Sequence, residues 1–199
     1  MMLPGVFFIC LLFVAEFAVA NDDPLTQIQA SVDAIIEVLK DEKLAVPEML
    51  DERSRKVEAL VDGLFDFHEM GKRTLGAAWD KATPGEKKEF VDFFATIVKQ
   101  RYIRKIDGYS GQEVSFKKQI VKKRSAKVYS ILLNNGIEIP IDYKMLRKNA
   151  KWVGYDMVIE NVSLVANYRR DFQSIIKKNK FSGLLEKMRQ KVEQIQSPS

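Results

Sequence analysis

"NNGIEIPIDYKM" (134–145) opens on a turn and then alternates strictly. Ile137, Ile139, Ile141, Tyr143 and Met145 fall on one face, and Glu138, Pro140, Asp142 and Lys144 on the other. A period of two with one apolar and one polar face is an antiparallel strand, buried on one side and wet on the other. Asn134-Asn135-Gly136 is a hairpin turn signal. "KKRS" (122–125) and "RKNA" (147–150) supply two further turns. The region therefore reads as a four-strand antiparallel meander over 113–121, 126–134, 137–146 and 151–160. Pro140 cannot donate a ladder bond, so its nitrogen points away from a partner or sits at a bulge. Bulged, strongly curved sheets can wrap around a cavity.

Helical periodicity flanks this region, over 24–110 and 166–196. Strands gathered between helices mark an α+β fold rather than alternating βα units. The first helix, 24–40, carries Leu25, Ile28, Val32, Ile35, Ile36 and Leu39 at helical spacing. Pro47 is expected to open a second, striped by Val57, Leu60, Val61 and Leu64. Thr83-Pro84-Gly85-Glu86 is a capping box with proline in the first turn, and its helix should run to Ile106. There Phe90, Val91, Phe93, Phe94, Ile97, Val98 and Tyr102 cover an arc wider than one packing surface needs. Such a helix contacts two surfaces or lines a cavity. Arg101, Arg104 and Lys105 share the arc. They read either as cations favoured at a helix C-terminus or as a basic mouth to an apolar pocket. A curved sheet covered on one face by helices suits a cone-shaped apolar pocket with few polar groups.

The N-terminus reads as a secretory signal peptide, residues 1–20, ending at Ala18-Val19-Ala20. It lacks a basic residue before its apolar run and carries Glu16 within it. The rival reading, an uncleaved anchor, needs a longer run than this one. The expected mature chain, 21–199, is one domain. The single cysteine, Cys10, lies in the leader, so the mature chain has no disulfide or thiol chemistry. Losing the leader removes one acid and no base and raises the net charge by one from +5. That suits anionic surfaces such as membranes, or simple solubility.

Catalytic and metal signals are weak. His68, the single histidine, has Asp66 and Glu69 nearby, but adjacent helix positions do not converge on an ion. It reads as a surface or capping residue. There is no Gly-rich phosphate loop and no serine-nucleophile elbow. The enzymatic candidate is Asp156 with Tyr143 and Tyr155, a carboxyl of raised pKa beside a phenol donor. If Tyr155 and Met157 face a pocket, however, alternation turns Asp156 away, toward backbone or a cation on the next strand. Lys117-Lys118, Lys122-Lys123-Arg124 and Lys177-Lys178-Lys180 lack the interleaved aromatics of a nucleic-acid surface, and export argues against nucleic acid.

"FDFHEMGKRTLGAAWDKATPGEKKEFVDFF" (65–94) resembles the signature of the MlaC family, also called the toluene-tolerance auxiliary family. The matching positions are Phe65-Asp66-Phe67, Met70, Leu75-Gly76, Trp79 and Thr83-Pro84. "IPIDYKM" (139–145), "KWVGYDMVIENVSLVANYRRDF" (151–172) and "GLLEKM" (183–188) agree in order. Asn161 stands where the family pattern has Gly, and Asn tolerates the left-handed conformation. The resemblance implies an NTF2-like cone and a periplasmic phospholipid carrier without catalytic residues or cofactor. Such a carrier moves lipid between an outer-membrane lipoprotein–porin complex and an inner-membrane ABC transporter with an MCE-domain partner, maintaining outer-membrane lipid asymmetry. It is expected as a monomer. On this reading Phe94, Val98, Tyr102, Ile139, Ile141, Tyr143, Tyr155, Met157 and Val165 contact lipid, and Arg101 and Arg104 face the phosphate. The alternatives are an NTF2-like periplasmic enzyme and an interaction module using the same apolar cavity.

Overall fold

The computed structural model describes residues 23–106 and 109–197, with 104–106 as backbone. Residues 1–20, expected to be a leader, and Cys10 among them lie outside the described residues. Helices α1 (Pro24–Lys40), α2 (Leu50–Leu64), α3 (Phe67–Leu75), α4 (Ala77–Lys81) and α5 (Pro84–Ile106) come first. Strands β1 (Glu113–Lys122), β2 (Ser125–Asn134), β3 (Ile137–Lys148), β4 (Lys151–Ile159) and β5 (Val162–Ser163) follow, and α6 (Leu164–Gln196) closes the chain.

Among the described residues the strands form one antiparallel sheet in the order β1-β2-β3-β4-β5. The expected meander is there, with one strand more than the expected four. β5 is two residues long, too short for a period to show in the sequence. It pairs with β4 across a turn in which Glu160 and Asn161 both take positive φ, 48° and 65°. Asn161 thus adopts the left-handed conformation its side chain tolerates.

Pro140 sits opposite Ile131, and its carbonyl accepts from Glu160 N at 3.0 Å. Within a strand a residue's nitrogen and carbonyl point the same way, so the ring nitrogen faces the β4 side. No bond to β2 is lost. Bulges fall at Lys117 in β1 and at Tyr155 in β4, where the register slips against Tyr129 and Met145. Each bends its strand and strengthens the twist.

The helix starts follow their caps. Asp23 accepts from Thr26 N at 2.9 Å, and Asp66 from Glu69 N at 2.9 Å. Thr83 N donates to Glu86 Oε2 at 2.9 Å while Glu86 N donates back to Thr83 Oγ1 at 3.3 Å, closing the capping box. Pro47 does not open α2. It opens a 3-10 turn, Pro47–Met49, and α2 starts at Leu50. Between α3 and α4 the backbone breaks at Gly76, whose φ of 54° glycine adopts without steric cost. α6 breaks at Lys180 (φ 59°).

Two cores result. Phe90, Phe94, Tyr168, Phe172 and Phe181 interlock between α5 and α6, with ring centroids 5.3–6.1 Å apart. Ile28, Val32, Leu64, Val128, Tyr143, Met145 and Trp152 join α1 to the inner sheet face. Gln27 pins this second core: Trp152 N donates to its Oε1 at 3.1 Å, and its Nε2 donates to Trp152 O at 2.5 Å. Gln119 on β1 holds the start of α1 by accepting from Leu25 N at 2.9 Å and donating to Asp23. Phe65 lies flat against β4, and Asp66 N donates to Gly154 O at 2.9 Å.

A Cβ at Gly154 would stand 2.6 Å from Phe65 Cδ1 and 2.7 Å from its Cε1. Gly154→Ala should therefore destabilise the fold by about 1–3 kcal/mol, the range for overpacking. A guanidinium-denaturation midpoint measures it, and Gly154→Ala with Phe65→Leu should recover part of the loss.

Candidate functional site

Beyond the α1–sheet core the helical layer and the sheet separate, leaving a cavity of about 520 Å³. Its floor is the inner sheet face: Val114, Leu132, Ile139, Ile141, Tyr143, Met157 and Ile159. Ile35, Ile36 and Leu39 of α1, Val61 and Leu64 of α2, and Phe67 and Met70 of α3 close it from above. Val98, Tyr102 and Ile103 of α5 and Leu164 of α6 form the remaining wall. The volume falls within the usual range for small-molecule sites, about 300–1,000 Å³. Polar side chains on the lining are few. Gln112 and Asn134 bond to each other at 3.1 Å, and Lys99 pairs with Asp62 at 2.9 Å.

Six of the residues assigned to the pocket from sequence line this cavity: Val98, Tyr102, Ile139, Ile141, Tyr143 and Met157. Phe94 and Val165 do not; both belong to the α5–α6 core, and Phe94 is fully buried there. Tyr155 is also off the lining. It is the extra residue of the β4 bulge, so the alternation that placed it beside Met157 fails at that point, and Arg73 covers its ring at 4.0 Å. Arg101 is exposed and does not line the cavity. The side chain of Arg104 lies outside the described residues.

The α1 stripe, Tyr109, Gln112, Leu164 and Lys99 were not assigned to the pocket. The stripe was legible as apolar, but nothing in its spacing separates a core face from a cavity face. Lys99 gave no signal at all, since its partners, Glu58 and Asp62, belong to another helix.

The wide apolar arc of α5 divides along the helix rather than around it. Phe90 and Phe94, in its first half, pack on α6. Val98, Tyr102 and Ile103, further along, line the cavity. Asp156 is 2% exposed and points away from the cavity. It accepts from Lys144 Nζ at 2.9 Å, Ser163 Oγ at 2.6 Å and Val165 N at 3.0 Å. It ties β4 to β3 and to the start of α6. His68 is exposed, its ring edge-on to Trp79 at 4.9 Å.

Tyr143 sits on the cavity floor beside Phe116, centroids 6.2 Å apart. Burial pushes its phenol up from 10.0 to about 12, a hydrogen bond with Ser130 pulling weakly the other way. The folded chain thus keeps a proton that the unfolded chain loses. The stabilisation is complete below pH 10 and disappears as pH rises toward 12. Titration of tyrosinate absorbance should show a component ionising near pH 12, and Tyr143→Phe should remove that component.

Two comparisons with known proteins point to one family, and a third shows a shared fold. The family model described as MlaC protein matches residues 29–190. An intermembrane phospholipid transport system binding protein MlaC from Haemophilus influenzae is 25% identical over 130 residues, 62% of this chain. The match spans only 61% of that relative's length. A phospholipid-binding protein from Ralstonia solanacearum, solved in complex with a phospholipid, superposes with a TM-score of 0.77 at 23% identity. That match covers 88% of this chain and 99% of the other, and establishes a shared fold. With a family match that extends over most of the sequence, from α1 into the second half of α6, the chain belongs to the MlaC family.

Proposed function

We propose that this protein is an exported phospholipid carrier. It takes up phospholipid in the periplasm and passes it between an outer-membrane lipoprotein–porin complex and an inner-membrane ABC transporter with an MCE-domain partner. The cavity carries the reading: an apolar space walled by one sheet face and five helices, with few polar side chains on its lining. The Haemophilus relative is described as a phospholipid transport protein, and the Ralstonia neighbour holds a phospholipid. Both support the same cargo. The leader read at residues 1–20 supports export.

The physics fits a carrier. Each CH2 moved out of water is worth about 0.8 kcal/mol, so ten sheltered methylenes are worth about 8 kcal/mol before the costs of binding are subtracted. An acyl chain needs apolar walls and no reactive groups. The carboxylate an enzyme would use, Asp156, is held on the far side of β4 by three donors. That arrangement favours a carrier over a catalyst.

The mature protein, residues 21–199, should yield near-stoichiometric phospholipid on solvent extraction and mass spectrometry. Ile141→Arg sets a guanidinium on the cavity floor, from which it can snorkel toward solvent. It should cut lipid occupancy at least tenfold with the circular dichroism spectrum unchanged. A protein that carries no lipid and takes none from vesicles would overturn the reading.

A further inference from the structure

Among the described residues, the charged side chain on the cavity lining is Lys99. Its ammonium is not free to meet an anion alone. Nζ lies 2.9 Å from Asp62 Oδ2 and 3.6 Å from Glu58 Oε2, both on α2. The lysine side chain is 16% exposed, and the two carboxylates are 50% and 34% exposed. The three charges thus span from the cavity wall to solvent between α2 and α5, with Phe67, another lining residue, 6.0 Å beneath Nζ. One cation and two anions leave the cluster with a formal charge of −1. The other polar lining residues, Gln112 and Asn134, are neutral and satisfied by each other.

We infer that this cluster selects a zwitterionic, amine-bearing head group, of the phosphatidylethanolamine class, over an anionic one. The inference rests on the lipid-carrier reading and deepens it. A phosphodiester can approach Lys99 only by sharing it with Asp62 and Glu58. A head group with its own ammonium places that cation on the carboxylates while its phosphate meets Nζ, completing a four-charge arrangement of alternating sign. A phosphatidylglycerol head group brings a phosphate and no cation, and faces net repulsion. Because the carboxylates are partly exposed, the selectivity is that of solvent-screened pairs, roughly two- to fivefold. It should weaken as salt shortens the screening length.

The test is lipid uptake from vesicles containing equimolar phosphatidylethanolamine and phosphatidylglycerol with identical acyl chains. Protein is re-isolated and its lipid quantified by mass spectrometry. Wild type should be enriched two- to fivefold in phosphatidylethanolamine. The double variant Glu58→Gln, Asp62→Asn leaves Lys99 unpaired and should shift uptake to parity or to phosphatidylglycerol. Thermal unfolding of both proteins confirms that the exposed substitutions leave the fold intact. Uptake of both lipids in the same ratio by wild type and variant overturns the inference while leaving the carrier reading in place. Enrichment of phosphatidylglycerol by wild type does the same. Failure to take up either lipid removes the carrier reading and this inference with it.

Discussion

The helical layer of this protein is pinned to its sheet at a few points, at the start of α1 and along β4. Apolar surfaces in water close on each other unless something holds them apart. Here the start of α1 is locked to the sheet through Gln27 on the Trp152 backbone, Gln119 on Leu25 and Asp23, and the packed Ile28, Val128 and Met145. Phe65 wedges onto Gly154 and fixes the α2–α3 junction to β4. From these anchors α1 runs on past a sheet that two bulges have curved. Ile35, Ile36 and Leu39 then line the cavity.

The α5–α6 core lets the cavity stay open. The α5–α6 aromatic cluster stabilises α5 through Phe90 and Phe94 without drawing on its later residues. Val98, Tyr102 and Ile103 are left to form a wall. Asp156 does the same for α6, fixing its first turn to β4 so that Leu164 presents to the cavity. Polar groups on the outer side of the sheet thus carry structural duties, and the inner face is left to apolar residues.

The alternation of 137–145 made β3 legible to within two residues of its end, and the capping box at Thr83 located the start of α5. The direction of Asp156 followed from the same period. Two kinds of feature did not follow. Bulges break the period, so Tyr155 was placed in the pocket when its bulge turns it toward Arg73. Core and cavity also share one apolar signature, so Phe94 and Val165 were assigned to lipid while the α1 stripe was not. Separating the two needs the distance between layers, which no local pattern encodes. The Lys99 cluster is wholly tertiary, built from α2 and α5.

The central claim is that acyl chains occupy the space between α1, α5 and the inner sheet face. Loading the protein with a phospholipid carrying a diazirine in its acyl chain, irradiating it, and mapping the adducts by peptide mass spectrometry tests this directly. The account predicts adducts on peptides containing Ile141, Tyr143, Met157 and Val98. Adducts confined to the Phe90–Phe172 aromatic cluster or to the outer sheet face around Tyr129 and Lys144 would contradict it.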